Sequence, residues 1–119
     1  MAPSAPSERS SAAASAALLP ARRSYAVLWS SGDDIRTGRL DPYSDRLHLC
    51  GRDRSFSITF SELSSAAIAR GQRDRLRGLP VLVLRRIVGA PVRIASLEGA
   101  GVLHELARHV EHAGLAVAF

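Results

Sequence analysis

The sequence predicts an α+β fold, with about seven antiparallel strands forming a partly open barrel or two packed sheets and one C-terminal amphipathic helix as the cap. Three observations lead there. Short runs that alternate apolar and polar residues begin at Tyr25 and recur to Ala95. Turn residues separate them: Ser31-Gly32-Asp33-Asp34, Asp41-Pro42, Gly51-Arg52-Asp53-Arg54 and Val88-Gly89-Ala90-Pro91. After Ser96 the apolar period changes from two to 3.6.

Tyr25, Val27 and Trp29 alternate with Ala26, Leu28 and Ser30 to give the first strand, and residues 35–40 the second. Pro42 ends the second because it lacks a ladder donor. Leu47 and Leu49 mark the third strand; Phe56, Ile58 and Phe60 mark the fourth. Residues 61–63 read as a corner, and residues 66–70, around Ile68, as a fifth strand whose Ala content also permits a helical turn. Residues 71–80 are a polar connection. The branched run 81–87 reads as a central strand, and 92–95 as its hairpin partner.

On a helical wheel Leu103, Leu106, Ala107, Val110 and Gly114 share one arc, while His104, Glu105, Arg108, His109, Glu111 and His112 fill the other. This predicts a helix over residues 98–113, with Ser96 or Leu97 near its start, Glu98 at the positive end of the dipole and Gly114 as the stop. Leu115 to Phe119 are apolar enough to pack back on the sheet. Periodicity alone leaves open another small barrel with a terminal helix.

Residues 1–24 contain 6 Ser, 8 Ala and 3 Pro among few apolar side chains, so a disordered tail is expected, with the domain proper over residues 25–119. A short helix over residues 12–19 that docks on a partner is the other reading of that segment. A leader peptide is disfavoured by Glu8 and by a stretch whose only strongly apolar residues are Leu18 and Leu19. There is no run of about 18 apolar residues to span a bilayer. One Cys cannot staple a domain, which fits a reducing, cytoplasmic setting.

The formal charge of +5 invites an anionic partner. All 16 basic residues are Arg, however, and Ala supplies 19 positions, a bias that the GC-rich codons of a GC-rich bacterium explain without any guanidinium chemistry.

Seven short strands and a closing helix resemble the pleckstrin-homology-like domains, in their looser bacterial and GRAM-like versions. The resemblance spans residues 25–119. It rests on Gly38-Arg39-Leu40 and Leu47-His48-Leu49 about an early turn, on residues 56–63 ending in Glu62-Leu63, and on residues 79–94 with Gly89 in the turn. It implies two near-orthogonal sheets in a barrel plugged at one end by the helix. The helix has no Trp, which eukaryotic members usually carry, and the first turn holds Asp33 and Asp34 where lipid-binding members place bases. The resemblance therefore does not carry inositol-phosphate binding to that turn.

Candidate chemistry is sparse. His104 and His109 are five apart, which puts them about 140° apart on a helix, whereas zinc chelation from one helix face needs a spacing of four. His109 and His112 with Glu105 or Glu111 read as a solvated face, since a catalytic zinc takes three protein ligands. Cys50 and His48 share a strand face, but the sequence names no third group to orient the imidazole. Gly99-Ala100-Gly101 follows Glu98 and is too short to cradle phosphate. No catalytic residue, metal or cofactor is expected.

The densest basic segment supplies the candidate anion- or partner-binding residues: Arg70, Arg73, Arg75 and Arg77. The expected function is a non-catalytic cytoplasmic binding module that meets an unidentified protein partner through this loop or an open sheet edge. The alternative is weak peripheral binding of an anionic membrane surface or phospholipid through the same loop, assisted by Arg22 and Arg23. Sequence-specific nucleic-acid reading is not expected, because no basic recognition helix or aromatic-studded sheet face occurs.

Overall fold

The computed structural model describes residues 24–32 and 34–119. The expected tail, residues 1–24, lies outside the described residues except for Ser24.

The elements run β1 Tyr25–Ser30, β2 Arg36–Pro42, β3 Arg46–Gly51, β4 Ser55–Thr59, a 3-10 turn Phe60–Glu62, β5 Leu63–Ala69, β6 Val81–Arg86, β7 Val92–Ser96, α1 Ala100–His112 and β8 Val117–Ala118. They form one curled eight-stranded sheet in the order β4-β3-β2-β1-β7-β6-β5-β8, a half-barrel with α1 packed across it. Every pairing is antiparallel except β5 with β8.

β1 is the seam of the sheet, pairing Trp29 with Arg36 on one side and with Ile94 on the other. Its inward residues Val27 and Trp29 meet Leu40, Leu47, Leu49 and Ile58 from the first half of the sheet and Leu82, Leu84, Val92 and Ile94 from the second. Val102, Leu103, Leu106, Ala107 and Val110 of α1 close this core. Close packing also dictates Gly38, where a Cβ would lie 2.1 Å from the carbonyl oxygen of Cys50 on β3.

The expected strands are present, with four departures. β2 includes Pro42, which pairs with Leu47 as the last residue of its strand. The corner at residues 61–63 is a 3-10 turn, and β5 begins directly after it at Leu63, three residues earlier than expected. Glu62 makes that junction rigid: its carboxylate accepts hydrogen bonds from the Thr59 backbone N–H at 3.2 Å and hydroxyl at 2.8 Å. An eighth strand, β8, lies along the edge of β5 with Val117 beside Ala66.

The fourth departure concerns the start of the helix. α1 begins at Ala100, not at Glu98, because Gly99 takes φ 112°, a conformation that L side chains rarely adopt, and sets the chain's entry angle. Glu98 is spent elsewhere, accepting from the Ala26 backbone N–H at 2.6 Å instead of complementing the helix dipole. Its own N–H donates to the Ser96 hydroxyl at 2.9 Å.

The opposite face of the second half-sheet carries a smaller cluster of Leu28, Val81, Val83 and Ala95, covered by Leu76. The 71–80 segment is thus more than a polar connection. Leu76 and Leu79 bond each other's backbones at 3.1 and 2.9 Å, and Leu76 is 2% exposed. The branched composition of β6 follows, since its residues Val81 to Leu84 are buried on both faces.

Candidate interaction surfaces

The four loop arginines are divided by the way the loop folds. Arg75 turns back on its own segment, donating from Nε to the Arg70 carbonyl at 3.0 Å and from Nη1 to the Gly78 carbonyl at 2.7 Å. Arg70 donates to Nε2 of His104 on α1 at 3.2 Å, so that ring nitrogen is an acceptor. Arg73 and Arg77 are exposed, Arg77 with φ 49°. Gln72, Arg75 and Gly78 line a cleft of about 530 Å³. Two guanidinium groups therefore brace the loop and two face solvent. They do not converge on one cleft.

His48 and Cys50 do share a face. Cys50 Sγ lies 3.3 Å from His48 Nε2, and His48 Nδ1 lies 2.7 Å from the hydroxyl of Ser57, its cross-strand partner on β4. The orienting group that the sequence did not name is Ser57; strand register supplies it. This chain of contacts lies on the outer face of the sheet. The helix histidines separate: His104 stacks on Phe119 with centroids 6.0 Å apart, whereas His109 meets Phe60 edge-on at 5.8 Å. Among the described residues no three His, Cys, Asp or Glu side chains cluster to hold a metal.

The two edges of the sheet are unlike. On one, β8 covers the middle of β5, and the Ala66 N–H donates to the Ala116 carbonyl at 3.1 Å. On the other, β4 is the last strand. Bonds from Gly51 N–H to Arg54 O and from Phe60 N–H to Asp45 O fix the parity of the β3–β4 ladder, so Phe56 and Ile58 exchange backbone bonds with β3. Ser55 and Ser57 turn their backbone groups outward. Their strand carries no charge and no proline.

At the end of the sheet where Trp29 pairs with Arg36 and Ser30 with Arg93, the β1–β2, β3–β4 and β6–β7 loops project together. Ile35, Arg36, Thr37, Gly51, Arg52, Asp53 and Arg54 line a cleft of about 490 Å³ there. The Asp34 carboxylate lies 3.8 Å from the Arg36 guanidinium. At the far side, Arg86 stacks over Phe56 at 5.5 Å and Phe56 over Trp29 at 5.9 Å.

No protein-family model matches the chain, and no curated protein matches it. Solved structures do. The C-terminal domain of an unknown protein from Leishmania infantum superposes with a TM-score of 0.63 at 15% identity, covering 87% of this chain and 94% of that one. A chain from the structure of the Spt16D Pob3N heterodimer superposes with a TM-score of 0.59 at 11% identity, covering 80% of this chain and 52% of that one. At such identities the likeness is one of fold. A curled half-barrel with a C-terminal helix, together with the second of these neighbours, is consistent with a pleckstrin-homology-like fold. No described helix is long and apolar enough to cross a membrane.

Proposed function

We propose that this protein is a non-catalytic interaction module of the cytoplasm that binds an extended segment of a protein partner along β4. The observation that carries the reading is the asymmetry of the edges: among the described residues, β8 covers β5 and no strand is added to β4. Backbone groups at Ser55 and Ser57 offer two donors and two acceptors in strand geometry, which an added strand would satisfy. The small hydroxyl side chains there do not obstruct an incoming backbone. Natural sheets usually guard an open edge with Lys, Pro or a bulge, and β4 has none of these. The heterodimer named for the second structural neighbour accords with a protein-binding use of the fold. One unpaired cysteine, half-buried, accords with a reducing compartment.

The discriminating variant is Ser57→Pro. The Ser57 N–H makes no bond to β3, so proline removes an outward donor without breaking the internal ladder. Partners captured from the native host by the wild-type chain should be lost from Ser57→Pro but kept by Ser57→Ala, which also loses the hydroxyl bonded to His48, and the bound complex should protect the Ser55 and Ser57 amides from hydrogen exchange. Partners retained by Ser57→Pro, or lost only when Arg73 and Arg77 become Ala, would move the site to the loop.

A further inference from the structure

Where β7 passes into α1, an apolar groove of about 330 Å³ opens between the first turn of the helix and the start of β6. Leu79, Pro80, Leu97 and Leu103 wall it, and Gly99 and Ala100 bring almost no side chain to its rim. Leu97 is 47% exposed there, directly after the buried Ser96. The described chain enters beside this groove. The Ser24 hydroxyl donates to the Asp41 carboxylate, and the Leu97 N–H donates to the Ala26 carbonyl at 2.9 Å, so residues 24–26 run alongside 97 and 98. Two carboxylates flank the entry: Glu98 accepts from the Ala26 N–H at 2.6 Å, and Glu105 accepts from the Tyr25 hydroxyl at 2.9 Å.

We infer that this groove is the docking site of the chain's own residues 18–23, with Leu18 and Leu19 on its apolar walls and Arg22 and Arg23 beside Glu98 and Glu105. The segment lies outside the described residues, and reach, composition and charge each select it. From Ser24 back to Leu19 is five residues, which extend to about 17 Å. Leu97 lies beside Ala26, one inter-strand spacing of about 4.8 Å away. Leu18 and Leu19 are the only branched aliphatic residues that precede Ser24, so they are what the segment has to offer an apolar groove. Arg22 and Arg23, next to Ser24 in sequence, bring two guanidinium groups to an entry flanked by two carboxylates. The same carboxylates would repel an anionic surface. A partner bearing leucine followed by arginine would have to displace the segment, which makes it a competitor built into the chain. The inference is independent of the β4 reading, and Ser57→Pro should leave the docking intact.

Methyl NMR of the full chain tests it. Cross-relaxation should connect the methyl groups of Leu18 or Leu19 with those of Leu97 or Leu103. Leu18→Ser with Leu19→Ser should abolish these contacts and shift the amide resonances of Leu97 and Ala100, and the fold should survive because neither leucine belongs to the core of the sheet and helix. A synthetic peptide of residues 14–24 should then bind the double variant at the groove. It should bind the wild type at least several-fold more weakly, since the tethered segment competes at an effective concentration on the order of millimolar. Leu97→Ser, added to the double variant, should weaken peptide binding while circular dichroism stays unchanged. Absence of contacts from either leucine to the groove overturns the inference. So does equal peptide binding by wild type and double variant, or a double variant that ignores the peptide. Contacts that appear only between differently labelled molecules overturn it as well, by giving the groove to a second copy.

Discussion

His109 Nε2 donates to the carbonyl oxygen of Tyr43 at 2.7 Å, joining α1 to the β2–β3 turn across 66 residues of sequence. The wheel places His109 on the solvated arc, where truncation would cost nothing. Its bond, and its edge contact with Phe60, make it part of the closure between helix and sheet. His109→Ala should therefore lower stability by about 1 kcal/mol, the usual net worth of one such bond. Leu106→Asp, which buries an unpaired charge at the centre of the same helix, should cost several times as much. Urea denaturation of both variants checks the ranking; equal losses, or none for His109→Ala, refute it.

The loop arginines are separable by stability alone. Arg73→Ala should be silent in a thermal melt. Leu76→Ala should cost about 2–3 kcal/mol, since it opens a cavity over Leu28, Val81 and Val83. A loop that served only as a solvated charge carrier would show the reverse insensitivity, with Leu76 as tolerant as its neighbours.

Gly38→Ala should fail to accumulate as folded protein. A methyl group at that position meets backbone, the Cys50 carbonyl carbon at 2.9 Å as well as its oxygen, so no side-chain rotation relieves the clash. Circular dichroism of Gly38→Ala beside Gly101→Ala, which places its Cβ in open space, provides the contrast.

Hydrogen bonds from the Thr59 side chain and backbone, with the Arg86 guanidinium nearby, hold the Glu62 carboxyl below its ordinary range despite the opposing effect of desolvation. A carboxyl whose folded value is depressed stabilises the fold at pH above its unfolded value and loses that contribution as pH falls through the folded one. Glu62→Gln should thus lower stability near neutrality and lose less on acidification from about pH 5 downward than the wild type. Parallel pH–stability curves for the two proteins would show that the capped turn is not coupled to the proton. Because Glu62 is partly exposed, the difference should shrink in high salt.

Strand order along the chain and the inward face of nearly every strand were legible from alternation, because each side-chain period is set locally by the pleat. Four things were not. Parity of the β3–β4 ladder, and with it the outward backbone of Ser57, depends on register, which alternation leaves undefined by pairs of residues. Leu76 reads as one apolar residue among charges until a second sheet face, exposed by the curl of β5–β6–β7–β1, needs a cover. Glu98 looked like a dipole partner for the helix; a distant N–H, that of Ala26, claimed it first. The apolar pair Ile87-Val88 was read as the end of a strand and a turn, since burial at a hairpin tip is decided by whatever lies beyond it.

The position of β1 between β2 and β7 has a consequence for synthesis on the ribosome. β1 to β4 follow one another as successive hairpins and can pair as they emerge. The second side of β1 must wait until residues 92–96 have been made, and the helical side of the core waits longer, for α1. Through that interval Val27 and Leu28 lie in an open strand that carries no charge of its own. A nascent chain stalled before Val92 is thus the form of this protein most in need of a chaperone, and completion of β7 is the event that ends the need.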